Sequence, residues 1–318
     1  MFVKRRSMLN SSHSSHFTLG AYVDLGLLKW LYFLIVLSLY VLILLSNLLL
    51  IIVICLNRTL HEPMYIFLCS LFMNELLGST ALFPMLLFQI TQDVHTIRTY
   101  FCFIQIFLVH FYATIEFVTL AVLSYDRYLA ICFPLQYSTR MNTNKLIFLT
   151  AFTWFYTFAI NLVAVLLSSR LQLCGHSISK VYCNNYSVVK LSCSDTSINN
   201  IYGLFITVLT VFVPLIFMVS TYICILRECF RGSKQTRQKA LSTCGPHLAS
   251  IINFSFGASF EIIGSRFDLR NVHSVIQVVL SLYFLVVQPL FNPLIYGFKL
   301  TKVRELSKSL LRSVFSHY

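Results

Sequence analysis

Long apolar stretches alternate with short polar ones along the chain. From Trp30 to Leu56 there are 27 residues without a charge. A bilayer core of about 30 Å takes roughly 20 apolar residues in a helix, so this stretch predicts one transmembrane span with some tilt. Six more follow, at about 63–88, 100–126, 146–168, 198–226, 240–263 and 272–298. Each is continuously apolar and does not alternate with period two, which selects helices over a β-barrel. The pattern predicts an all-α membrane protein: a seven-transmembrane helix bundle whose two ends lie on opposite sides of the membrane. Beyond the seventh span, Leu300, Val303, Leu306, Leu310 and Leu311 recur at helical spacing among Lys302, Arg304, Lys308 and Arg312. That spacing predicts a short amphipathic helix on an anionic membrane surface. The expected organisation is a tail over 1–29, the bundle over 30–298, and an amphipathic helix and tail over 299–318.

Composition agrees. Of 318 residues, 57% are hydrophobic and 11% charged, against about 25% charged in a soluble domain. A mean hydropathy of +0.76 excludes an ordinary soluble enzyme, a disordered protein and a disulfide-stapled secreted fragment. The formal charge of +13 would suggest a nucleic-acid partner. None is expected, because few of the basic residues would lie on a soluble surface. Lys4, Arg5 and Arg6 precede a polar Ser/His/Asn run with no cleavable apolar segment, so the first span reads as the signal anchor.

Charge near the span ends sets the orientation. With the amino end outside, 14 of the 24 Lys and Arg fall on the cytoplasmic side, for a net +10 there and +6 outside. Glu75, Glu116 and Glu261 fall within spans. Cys102, Cys174, Cys183 and Cys193 then lie on the oxidising side, where disulfides persist. Cys55, Cys69, Cys132, Cys224, Cys229 and Cys244 lie in spans or inside. Two glycosylation sequons, at Asn10 and Asn185, fall outside. A third, at Asn57, falls on the cytoplasmic side. The longest outer loop, about 169–197, is long enough to be functional or tied down.

Ionisable residues at membrane depth are functional candidates by default. Glu75 and Glu116 lie midway along the second and third spans. They would share a proton or clasp a small cation such as sodium with Asn292; alternatively, they are protonated groups that stiffen packing. A proton- or cation-coupled transporter would use the same two residues. Asp126-Arg127-Tyr128 closes the third span, either as an ion pair that a conformational change breaks or as an interfacial anchor. Pro289-Leu290-Phe291-Asn292-Pro293-Leu294-Ile295-Tyr296 ends the seventh span as a hinge or a static kink. No G-x-S-x-G, H-E-x-x-H or phosphate loop is present, so an enzyme reading lacks a site.

Taken together, the motifs resemble those of an olfactory (odorant) receptor, a rhodopsin-like G-protein-coupled receptor. The resemblance covers most of the chain. It is carried by Ser46-Asn47, by the string from His61 to Leu68, by Leu123 to Tyr137, by Ser220 and Tyr222, by Lys239 to Leu248, and by Pro289 to Tyr296. The Lys-Ala-x-Ser-Thr-Cys-x-x-His-Leu string is the one that separates odorant receptors from other receptors of the superfamily.

This resemblance implies a plasma-membrane receptor with no enzymatic activity and no cofactor beyond the candidate sodium ion. It would bind a small-molecule odorant and couple to a stimulatory olfactory-type heterotrimeric G protein, raising cyclic AMP. Cys102 would bridge to Cys183 and Cys174 to Cys193. Asp126, Arg127, Tyr128, Tyr222, Asn292, Pro293 and Tyr296 would serve coupling and activation. The odorant pocket would lie in the outer half, between spans three, five, six and seven. Helical spacing from the motifs places His110, Ala113 and Thr114 there from span three, Ile206, Thr207 and Thr210 from span five, and Ala258, Ser259 and Ile262 from span six. Glu261 and Arg266 near the mouth would steer a charged ligand. Departures from the family pattern include Leu123-Ser124 for Met-Ala, Phe291 for Leu, and Ser255 where a Tyr is usual. Phe254 and Phe256 are the neighbouring aromatic candidates for that last role.

Overall fold

The structure is a computed structural model that describes residues 15–22, 26–231, 234–266 and 274–316. The spans are Leu28–Leu56 (one), Pro63–Thr91 (two), Thr99–Cys132 (three), Thr143–Ser169 (four), Ser197–Arg231 (five), Lys234–Arg266 (six) and Ser274–Lys299 (seven). A last helix, Thr301–Ser316, follows directly. Each predicted stretch lies within a helix apart from its soft ends. Several helices run further than predicted, because polar residues beyond the apolar window continue the same helix. Span three is the centre of the bundle: 72% of its most apolar window is buried, against 28% for span one and 17% for span five.

Helix ends follow local chemistry. Span two opens with Pro63 in its first turn, where a missing N–H costs nothing. Span four is capped by Asn142, whose side chain accepts from the Lys145 backbone N at 2.9 Å. Five helix-interior prolines, Pro84, Pro214, Pro246, Pro289 and Pro293, each remove one backbone donor. In span five the turn before Pro214 widens into a π-helical segment, Val208–Phe212; such wide turns relieve a local conflict in the ladder. In span seven Pro293 cannot donate to the Pro289 carbonyl. The Asn47 side chain of span one does so instead, at 2.9 Å. A neighbouring helix thus satisfies the carbonyl that the proline leaves free, and the buried amide of Asn47 ties span one to span seven.

The amino-terminal tail contributes a strand that its sequence does not signal. β1 (His16–Leu19) pairs antiparallel with β2 (Thr96–Arg98) and parallel with β3 (Ser177–Ile178). Phe17 and Leu19, two apart and on one face of the strand, are buried with Ile97, Ile106, Ile178 and Val188. The disulfides are Cys102–Cys183 and Cys174–Cys193, the pairing the resemblance implied. The first fastens the long loop to the head of span three; the second closes the loop on itself. Asn10 lies outside the described residues.

Gly78 of span two lies against Tyr112 of span three, so closely that a Cβ there would overlap the ring. Tyr112 donates to Glu75 Oε2 at 3.1 Å and to the Phe284 carbonyl at 3.2 Å. Gly78→Ala therefore forces Tyr112 off both partners. The expected cost is about 1–3 kcal/mol, read as a lowered Tm of the detergent-solubilised protein. An unchanged Tm contradicts this packing.

Candidate functional site

A cavity of about 1140 Å³, counting its open mouth, lies at the disulfide-bonded end of the bundle. Span three contributes Val109, His110, Ala113, Thr114 and Phe117; span five contributes Gly203, Ile206, Thr207, Thr210 and Val211. Ala258 and Ile262 of span six and Phe284 of span seven close it. The π turn lies within the span-five wall, at the phase shift between Thr207 and Thr210. Simple 3.6-residue periodicity does not register such a shift. The floor is aromatic. Phe254 is fully buried and packs against Phe117, at 4.8 Å between ring centroids, and edge-on against Tyr112 and Phe284. Phe256 is exposed, so Phe254 is the aromatic that stands beneath the cavity.

Eight of the nine expected lining residues are brought together: His110, Ala113, Thr114, Ile206, Thr207, Thr210, Ala258 and Ile262. Ser259 is a correction. It is exposed, and its hydroxyl donates to the Ser255 carbonyl at 2.6 Å. One residue on from Ala258 it has turned about 100° away. Span four supplies Asn161, which the motif spacing missed. Its amide donates to Thr114 Oγ1 at 3.2 Å and to the Thr157 carbonyl at 2.7 Å. His110 Nδ1 lies 2.9 Å from the Ile106 carbonyl. A carbonyl only accepts, so Nδ1 carries the proton and Nε2 is left available.

At the mouth, Glu261 Oε1 accepts from Lys180 Nζ at 2.5 Å and from Asn184 Nδ2 at 2.6 Å, while Oε2 is buried without a partner. Arg266 lies over the Tyr186 ring at 4.4 Å. Of the two residues expected to steer a charged ligand, Glu261 is thus already paired with a loop cation. Asn185, of the outer sequon, begins a short helix, Asn185–Val189, and lines the cavity with its carboxamide oxygen buried.

Midway through the bundle, Glu75, Glu116 and Asn292 meet, all fully buried. Asn292 Nδ2 donates to Glu75 Oε1 at 2.5 Å and to Glu116 Oε1 at 3.0 Å. Gln288 donates to Glu116 Oε1 and Asn74 to Glu116 Oε2, each at 3.0 Å. Ser250 of span six donates to Asn292 Oδ1 at 2.7 Å. Two carboxyls this close, away from water, cannot both carry bare charge. A proton or a small cation must accompany them. Asn74, Tyr112, Ser250 and Gln288 were missed from sequence. The available signals were that Asn74 adjoins Glu75 and that Gln288 stands one turn before Asn292.

At the far end of span three, Asp126 is buried and pairs with the Arg127 guanidinium. It also accepts from the Tyr137 hydroxyl at 2.6 Å. Burial, with Asp126 beside it, pushes the Tyr137 phenol well up, so Tyr137 remains a donor. Tyr128 packs edge-on against Phe133. Tyr222 of span five bonds to His247 of span six, and Tyr296 is buried beside Phe72, with Pro293 one turn before it in span seven. All these activation candidates except Asn292 gather at one end, opposite the cavity. His247, part of the odorant-receptor string, acquires a partner that sequence did not assign it.

A profile of the olfactory receptor family matches residues 36–313. The chain is 33% identical over 302 residues to human olfactory receptor 11A1, covering 93% of this chain and 94% of the relative. It is 34% identical to human olfactory receptor 52J3, covering 84% and 86%, and 31% identical to mouse olfactory receptor 4B13, covering 86% and 88%. Among solved structures, squid rhodopsin superposes with a TM-score of 0.75 at 16% identity, over 92% of this chain and 88% of that one; this is a likeness of fold. The chain belongs to the olfactory receptor family, and is a multi-pass membrane receptor of the G-protein-coupled, rhodopsin-like class rather than an enzyme.

Proposed function

We propose that a compact odorant carrying one or two polar groups binds the cavity at the disulfide-bonded end, and that this end faces outside with the amino terminus. Binding favours the state in which the opposite end opens to a stimulatory olfactory-type G protein, raising cyclic AMP. The observation that carries this reading is that span three lines the cavity at one end and holds the Asp126–Arg127 pair at the other. A ligand shifts the equilibrium only by its differential affinity for the two states. The floor aromatics Phe117 and Phe254 stand between cavity and polar core, where such a difference would be felt. Family membership removes the transporter alternative.

Opening would break the Asp126–Arg127 pair and free the guanidinium for the partner's carbonyls. Arg127→Ala should abolish odorant-evoked cyclic AMP while surface expression persists. A response equal to that of the unmodified receptor overturns this role.

Small side chains at the cavity wall set its volume. Ala113→Phe should raise the half-maximal odorant concentration more than tenfold, about 1.4 kcal/mol or more, with surface expression unchanged. An unshifted dose–response curve removes the cavity from consideration.

The carboxylate oxygens of Glu75 and Glu116 suit a hard cation such as sodium, which takes oxygen ligands; Asn292, whose Nδ2 faces both carboxylates here, would turn its Oδ1 inward to join them. Asn74 Oδ1, buried without a partner beside Glu116, fits the same reading. Replacing choline chloride by sodium chloride at constant ionic strength should raise the Tm of the purified receptor, and Glu75→Gln should erase the difference. Equal Tm values in both salts with the unmodified receptor identify a shared proton instead.

A further inference from the structure

A second cavity lies nearer the Arg127 end, between spans five and six, with a volume of about 870 Å³ counting its open side. Its floor is buried Met218, Ile225 and Ile251; its rim residues Val219, Ile223 and Leu226 are 58%, 45% and 43% exposed. These rim residues fall on one lipid-facing flank of span five, so the cavity is a groove open to the bilayer. Its lining on span five runs from Leu215 to Cys229, about 21 Å at 1.5 Å per residue. That is more than half of the roughly 30 Å core, so the groove is long enough for one acyl chain to lie along it.

Gly245 lines the groove, and a Cβ there would meet nothing within 4 Å, so the space beside it is open to a larger side chain. Its lining is apolar apart from the two thiols, Cys229 and Cys244, and Tyr222, whose hydroxyl is already engaged by His247. An odorant with polar groups would leave them unsatisfied there.

Charge names the occupant. Arg231 is paired with Glu228 at 3.2 Å. Arg227, one helical turn beyond Ile223 on the same flank, is exposed and has no carboxylate partner among the described residues. It precedes by two residues Cys229, the last span-five residue of the groove. A guanidinium there matches a phosphate bidentately, and anionic headgroups attract such cations. We propose that this groove binds one acyl chain of an anionic phospholipid, with Arg227 holding its phosphate. With the orientation proposed above, this is the cytoplasmic leaflet. Because spans five and six form the two walls, an occupant filling the groove stabilises the spacing seen here.

The test uses the full chain in phosphatidylcholine nanodiscs doped with phosphatidylserine or phosphatidylcholine bearing a diazirine in the acyl chain, with cross-linked peptides mapped by mass spectrometry. The serine lipid should label segments 215–229 and 244–251 at least threefold more than the choline lipid. Arg227→Gln should abolish that preference. Gly245→Leu should cut labelling of both segments at least threefold without changing labelling of span one. Leu248→Trp, placed on the rim, does the same should Gly245→Leu lower the yield of folded protein. Equal labelling by the two lipids, or labelling that neither groove-filling variant reduces, overturns the proposal. The measurement needs neither odorant nor G protein, so its outcome is independent of the function proposed above.

Discussion

Glu75 and Glu116 face each other inside a bundle surrounded by lipid, and most of the architecture answers to that placement. A carboxyl away from water must be hydrogen-bonded or neutralised. The groups that do this come from four spans: Asn74 from two, Tyr112 from three, Ser250 from six, and Gln288 and Asn292 from seven. No pair of neighbouring spans holds the arrangement alone. Removing one member leaves the others buried and unsatisfied, which makes the cluster an all-or-none brace. Tyr112 extends it toward the cavity, since its ring packs on Phe254 and Phe284. Asn292 extends it toward the other end, one turn above Tyr296 in span seven.

The seven spans were legible in the sequence because a membrane penalises charge over a fixed length, and that signal is one-dimensional. The Glu75–Glu116–Asn292 meeting was legible for the same reason: acids at membrane depth have few reasons to be there. The members that hold them were not. Asn, Gln, Ser and Tyr are common in spans, and only three-dimensional placement shows which ones converge. Ser259 was misplaced because helical spacing was carried from motifs a long way down the span, where a one-residue error moves a side chain through about 100°. The strand at His16–Leu19 escaped notice because four residues carry little periodic signal, and its partners lie in two distant loops.

The disulfide-bonded end is assembled from pieces remote in sequence. The Cys102–Cys183 bond places the long loop over the bundle, and the Lys180–Glu261 pair then fastens that loop to span six. The cavity mouth is therefore framed by a loop held at two points of different chemistry, one covalent and one ionic. The apolar strand residues Phe17 and Leu19 cover the flank by span three, leaving the loop, span five and span six to shape the entrance.

Asn47 and Pro293 never touch each other's backbone ladder, yet one exists on terms set by the other. Pro293 strips the Pro289 carbonyl of its usual donor, and Asn47 supplies one from across the bundle. A lineage that exchanged the proline for a residue with an N–H would find the asparagine redundant there; one that lost the asparagine first would leave a buried carbonyl without that donor. The order of such changes is not free, so the two positions should drift together or not at all, as one heritable unit written in two separate places.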